Sequence, residues 1–310
     1  MRYDYASAQE GAERRRVPMH QPIKSLDDLR REIDRIDDAI HDLVIQRTAV
    51  ISEIATAKSL DRSNANGFLR PGREAMVMRR LLSRHRGPFP KPSLVRLWRE
   101  LIAGPLSLQG NFSVAVYAPP DAPGYWDLAR DHYGSHTGFA AHGAASQVLA
   151  AVGGGKATVG ILPTIAHDEP DPWWPALVRE DGKGLAIIAR LPIAGQGNAR
   201  GDKIEALVVG HGVSEATGAD CSFFVLETPQ ELSRARVAAW LEKARLKPRQ
   251  VTNWKSASGD ALYLLELEDF VPEGDARIAE FRAQMGPEGG RCFHVGGYAA
   301  PFTPAELATA

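Results

Sequence analysis

The feature that most constrains this chain is an apolar pattern in residues 25–60. Leu29, Ile33, Ile36, Ile40, Leu43, Val50 and Ile54 recur at spacings of three, four and seven, so they share one face of an α-helix. Ser25 offers an N-cap hydroxyl. Asp27 and Asp28 place negative charge in the first turn, where it favours the helix dipole. At a rise of about 1.5 Å per residue such a helix is near 50 Å long, more than one small globule can cover. It requires partner helices.

Arg47 occupies a seam position where leucine or isoleucine is expected. A guanidinium there must be paired or must hold an anion, because an uncompensated buried charge costs several kcal/mol. Lys58 follows eleven residues later, only about 20° away around the helix at about 100° per residue. From Arg47 to Arg86 nine basic residues face three acidic ones, although the 310-residue chain is balanced at 37 Lys and Arg against 38 Asp and Glu. Charge therefore acts locally, and nothing in the balance points to nucleic acid. Inward cations in a helical block suit a small polyanion; an ion pair that fixes helix register is the other reading of Arg47.

A turn is expected at residues 64–67. A second helix follows from Pro71-Gly72, carrying Met76, Val77, Leu81 and Leu82, and ends at Pro88, Pro90 and Pro92. A third runs from about Ser93 through Leu94, Leu97, Trp98, Leu101 and Ile102 toward Gln109, with a kink expected at Gly104-Pro105. Gln109 lies eleven residues after Trp98 and so falls on the apolar face.

Beyond residue 110 the texture changes. Strands are expected at 112–117, 157–162, 185–193 and 204–209, with helices at 125–133 and 147–152 and a Gly/Asn-rich turn at 195–201. Such alternation predicts an α/β layer with mostly parallel pairing. From residue 220 the order is strand 222–227, helix 230–244, strands 250–256 and 261–268, helix 275–285 and strand 291–298. That is βαββαβ, the order of ferredoxin-like small domains. Four segments result: a disordered tail at 1–24, a helical domain at 25–110, an α/β domain at 111–219 and a βαββαβ domain at 220–310.

Cys221 and Cys292 are too few for a disulfide framework, which fits a reducing, cytoplasmic compartment. No apolar run approaches a membrane span, and the nine histidines form no ligand-spaced cluster, so no metal or cofactor is expected.

Arg30 with Leu29, then Ile33, Ile36 and Asp37, Arg47 seventeen residues after Arg30, Lys58 behind Ala57, the Arg73-Glu74 pair and Gln109 together resemble the all-helical chorismate mutases. The resemblance implies an intertwined homodimer sharing the long first helix. It also implies rearrangement of chorismate to prephenate, with Arg47 holding a carboxylate of the substrate and Arg30 reaching in from the partner subunit. Lys58 and Gln109 would donate to the breaking ether oxygen, and Glu74, beside Arg73, would orient the ring hydroxyl. Such a reaction needs no nucleophile. It needs a held conformer and preorganised donors, and the planar fork of arginine suits a carboxylate. Arg70 departs from the family pattern, standing where an acid is often found, and so does Pro105.

The remainder resembles a bifunctional chorismate mutase/prephenate dehydratase carrying an ACT module, through Val159-Gly-Ile-Leu-Pro163 and Phe293-His-Val-Gly-Gly-Tyr298. The Glu-Asn pair expected after that proline is replaced by Thr164-Ile165, and the Thr-Arg-Phe motif by Cys221-Ser222-Phe223. The expectation is a chorismate mutase of aromatic amino acid biosynthesis with a reduced middle domain, dehydratase activity being unlikely and no nucleic acid or membrane engaged. A non-catalytic binding or regulatory protein with the same fold is the alternative.

Overall fold

The computed structural model describes residues 24–60, 69–108, 112–167, 169–179, 184–195, 203–212, 214–229, 231–255, 259–286 and 290–308. The tail expected at 1–24 and the turn at 64–67 lie essentially outside them. The chain divides into two compact units, residues 1–49 and 50–310, each considered by itself.

The first unit is described from residue 24 and consists of the greater part of α1 (Leu26–Leu60), one unbroken 35-residue helix as the periodicity predicts. Its start is capped reciprocally: Asp28 N–H donates to Ser25 Oγ at 3.1 Å, and Ser25 Oγ–H donates to the Asp28 carboxylate at 2.6 Å. The Ser25 hydroxyl, with Arg31 and the Ser25 N–H, holds the Asp28 carboxyl below its ordinary range. The seam is bare. Ile33 is 58% exposed, Ile40 53% and Leu43 62%.

In the second unit α2 (Pro71–Arg84) and α3 (Lys91–Ala103) both begin with proline in the first turn, where a missing N–H costs nothing. The α-helical part of α3 ends at Ala103 and a 3-10 turn covers Gly104–Leu108. Pro105 has no N–H to give the Leu101 carbonyl, so the expected kinked helix to Gln109 becomes a termination. The buried faces also differ from the apolar faces expected. Ala75, Met78 and Leu82 are buried on α2, and Val95, Arg99 and Ala103 on α3, whereas Met76 and Leu97 are exposed. Small residues at Ala75 and Ala103 permit close approach, and periodicity cannot tell which side of a helix its partner will take.

Among the described residues nine strands form one sheet, in the order β2-β1-β3-β5-β4-β9-β6-β8-β7. Its first half holds β1 (Ser113–Tyr117), β2 (Gly138–His142), β3 (Val159–Pro163), β4 (Ala186–Leu191) and β5 (Ala206–Gly210), with α4 (Gly124–Tyr133) and α5 (Ala145–Gly153). β1 pairs in parallel with β2 and β3, while β5 runs antiparallel to β3 and β4. The expected mostly parallel pairing therefore holds only on one side. Parallel neighbours need a crossover, which α4 and α5 supply there. β2 was not expected, because Gly-Phe-Ala-Ala-His lacks the β-branched run that marks a strand.

The second half is βαββαβ as the sequence predicts: β6 (Asp220–Thr228), α6 (Arg234–Lys243), β7 (Lys247–Lys255), β8 (Ala261–Glu268), α7 (Ala276–Ala283) and β9 (Arg291–Ala299). The halves join where β9 runs parallel to β4, with Ile187 opposite Gly296. A Cβ on Gly296 would stand 2.1 Å from the Ile187 carbonyl oxygen, and its φ is +116°. Only glycine permits that approach. The C-terminal segment then returns to the helices. Phe302 packs with Met78, Leu82 and Val95, while Arg79 donates to the Ala300 carbonyl at 2.6 Å. A last short helix, α8 (Pro304–Leu307), carries a capping box between Thr303 and Glu306.

Candidate functional site

The residues singled out from sequence fall on different parts of the structure. Arg30 lies on the exposed surface of α1, its Nη1 3.3 Å from Asp27 Oδ1. Arg47 is half-buried on the same helix. Lys58 is within α1 but its side chain lies outside the described residues, as does Gln109 altogether. Arg73 and Glu74 stand next to each other in the first turn of α2, Arg73 exposed and Glu74 turned inward. Arg70, the departure from the family pattern, precedes α2 and bonds Glu215 through Nε and Nη2. Glu215 therefore takes up the charge that Arg70 adds, and their pairing raises the guanidinium's pKa.

Glu74 leads to a residue that the sequence reading missed. Arg99 of α3 is 2% exposed. Its Nη1 donates to Glu74 Oε2 at 2.6 Å and its Nε to the His132 carbonyl at 2.7 Å, and the guanidinium lies 5.9 Å from the centre of the Tyr133 ring. Burial and this neighbouring cation hold His132 well below the ordinary histidine range, so its ring is neutral. Burial likewise pushes the Tyr133 hydroxyl up and keeps it protonated. Arg99 thus joins α2, α3 and the end of α4, and the carboxylate of Glu74 is set by a fixed cation. Removing one partner of such a buried pair typically costs about 3–5 kcal/mol. The sequence did carry a signal: Val95, Arg99 and Ala103 are four apart, so Arg99 interrupts an apolar face as Arg47 does. The stronger run through Leu94, Trp98 and Ile102 hid it.

Among the described residues no group of histidine, cysteine and carboxylate side chains could hold a metal ion, and no helix is long and apolar enough to cross a membrane. Cys221 and Cys292 are both buried free thiols, and burial raises the Cys292 pKa to about 11.

Among these cations Arg30, Arg70 and Arg99 are each set against a carboxylate of the chain itself. In comparison with known families, residues 29–110 match the chorismate mutase type II family. The bifunctional chorismate mutase/prephenate dehydratase of Pseudomonas aeruginosa is 29% identical over 137 residues, covering 44% of this chain and 37% of that protein. The enzyme of the same description from Stutzerimonas stutzeri is 30% identical over a stretch of the same length, again 37% of the relative. The chain therefore spans well under half the length of these curated relatives. Among solved structures, a prephenate dehydratase from Streptococcus mutans overlaps 61% of this chain and 98% of its own at 12% identity, with a TM-score of 0.45.

Proposed function

We propose that this protein is a chorismate mutase, acting in aromatic amino acid biosynthesis as a homodimer paired through α1. The observation that carries the proposal is the family match over residues 29–110, which encloses Arg30, Arg47, Lys58, Arg73 and Glu74 and reaches Gln109. The bare α1 seam supports the dimer, since fully burying one leucine or isoleucine side chain contributes about 1.5–3 kcal/mol. The domain layout proposed is the mutase domain at 25–110, a reduced α/β domain at 111–219 and an ACT-like domain at 220–310.

In this reading the enzyme selects and holds the folded conformer of chorismate in which the two reacting carbon ends meet. Arg47 grips one carboxylate of the substrate, and Arg30 approaches from the partner subunit. Lys58 and Gln109 donate to the ether oxygen as negative charge grows on it. A preorganised donor at such a position contributes roughly 3 kcal/mol. Glu74 accepts from the ring hydroxyl with Arg73 alongside. Arg99 is a positioning residue, because it fixes Glu74 Oε2 and so aims the carboxylate. The proposed chemistry takes no cofactor, and the neutral charge balance and the buried thiols fit a cytoplasmic enzyme that engages neither nucleic acid nor membrane.

Dehydratase activity is not part of the proposal, since Thr164-Ile165 and Cys221-Ser222-Phe223 replace the motifs expected there. Loss of chorismate absorbance is measured for the wild type, Arg47→Ala and Lys58→Ala. Rapid loss with the wild type alone is expected, and equal rates in all three overturn the assignment. Prephenate given to the same preparation should yield no phenylpyruvate; its formation would return the middle domain to catalysis.

A further inference from the structure

The first turn of α2 carries Arg73 and Glu74, and its N-cap is Arg70, which makes no side-chain bond to the helix. A guanidinium has no acceptor for the orphan N–H groups of a helix start, and its charge opposes the helix dipole. The turn is held from outside instead. Glu215, in the segment between β5 and β6, accepts from Arg70 Nε at 3.3 Å and from Arg70 Nη2, which cancels the cation. A Cβ on Gly72 would stand 3.2 Å from Thr217 Cγ2 and 3.3 Å from the Glu215 carbonyl oxygen, so the turn is seated directly on this segment. The seat is itself fixed: Asp220 accepts from the Thr217 N–H at 2.8 Å and from the Thr217 hydroxyl at 2.7 Å. Two turns further along α2, Arg79 Nη1 donates to Thr217 Oγ1 at 3.0 Å.

We propose that Glu215 is a positioning residue for the chorismate site: through Arg70 it fixes the first turn of α2, and with that turn the aim of Arg73 and Glu74. The consequence for turnover rests on the mutase reading; the clamp on α2 does not. Glu74 N–H donates to the Arg70 carbonyl at 3.0 Å, so the residue whose side chain Glu215 holds is also the one whose backbone starts the Glu74 turn. Arg99 holds the other end of Glu74, at Oε2. The placing of one carboxylate is thus divided between α3 and a segment outside residues 29–110. A group displaced at a reacting centre loses rate steeply, even when the change that displaces it is remote.

Two measurements on the full chain test it. Amide exchange reads the clamp whether or not the protein is a mutase: in Glu215→Gln the Glu74 N–H should exchange at least about tenfold faster than in the wild type, while the Leu82 N–H near the far end of α2 keeps its rate. Steady-state kinetics with chorismate read the consequence: kcat and kcat/KM should fall together by at least about fivefold. The urea midpoint should stay that of the wild type, since a pair this exposed adds little to global stability. Exchanging the charges, Arg70→Glu with Glu215→Arg, should return both readouts to within about twofold of the wild type. Glu227→Gln is the control, because its pair with Arg291 is similarly exposed and lies at the opposite ends of β6 and β9; it should leave both unchanged. Unaltered exchange at Glu74 overturns the clamp. Wild-type kinetics in Glu215→Gln, a loss that Glu227→Gln shares, or no recovery in the exchanged pair overturns the positioning role. If the wild type itself leaves chorismate untouched, the mutase reading falls, and amide exchange still decides the clamp.

Discussion

α1 and α3 each set an arginine into an apolar face, and the two faces have opposite fates. On α3, Val95, Arg99 and Ala103 are buried within the chain, and Arg99 meets Glu74 and the His132 carbonyl. On α1, Ile33, Ile40 and Leu43 stay more than half exposed around the position of Arg47. The same local pattern is completed inside one chain in the first case and, in our proposal, by a second copy in the second. The buried arginine of α3 has its counter-charge in the carboxylate of Glu74, whereas to Arg47 our proposal assigns a carboxylate of the substrate.

The comparison breaks most sharply in turnover. Arg47→Ala should lower kcat for chorismate by about 100-fold or more, whereas Arg99→Met should register chiefly as about 3–5 kcal/mol of lost stability in urea denaturation. If Arg99→Met denatures as the wild type does, the buried pair is not what holds α2 and α3 to α4. Next in size is the joint between the sheet halves: Gly296→Ala places a methyl into the Ile187 carbonyl at positive φ and should cost about 2 kcal/mol or more. An unchanged unfolding midpoint would show that β9 can yield there.

The exposed side of the comparison is tested by Ile36→Glu with Ile40→Glu. Sedimentation should shift from dimer to monomer while the fold of residues 50–310, read by far-UV circular dichroism, persists. A dimer that survives both charges means that the α1 seam is not the contact.

The smallest effect is in pH. Burial lowers the folded-state pKa of His132 and of His294, so near pH 6.5 and below the unfolded chain takes up protons that the folded chain refuses. Stability from these two groups is complete above pH 6.5 and falls as pH drops below it, by up to about 1.4 kcal/mol per pH unit for each. His132→Leu should flatten that slope whatever its effect at neutral pH. A slope unaltered in this variant would assign the acid sensitivity elsewhere.

Much of this was legible in the chain. The spacing from Leu29 to Ile54 specified α1, because a 3.6-residue period leaves one reading for so long a run. The βαββαβ order of the last ninety residues was legible too, since β6, β8 and β9 are rich in β-branched, aromatic and aliphatic residues bounded by turns. β2 was not, because it is small-residue edge structure with no period to detect. Of the candidate site, Arg47 and Lys58 announced themselves as cations on an apolar face, and Glu74 only through family resemblance. Arg99 was obscured by a neighbouring, more apolar stripe.

By itself, the sequence determined most of the elements and their order, because helix and strand periods, caps and prolines are local interactions. Tertiary structure alone decided which faces of α2 and α3 are buried, that Glu74 is held by Arg99, and that the two sheet halves meet through Gly296. Each depends on groups far apart in the chain, whose partnership is set by packing and by the cost of leaving a buried charge or backbone group unpaired.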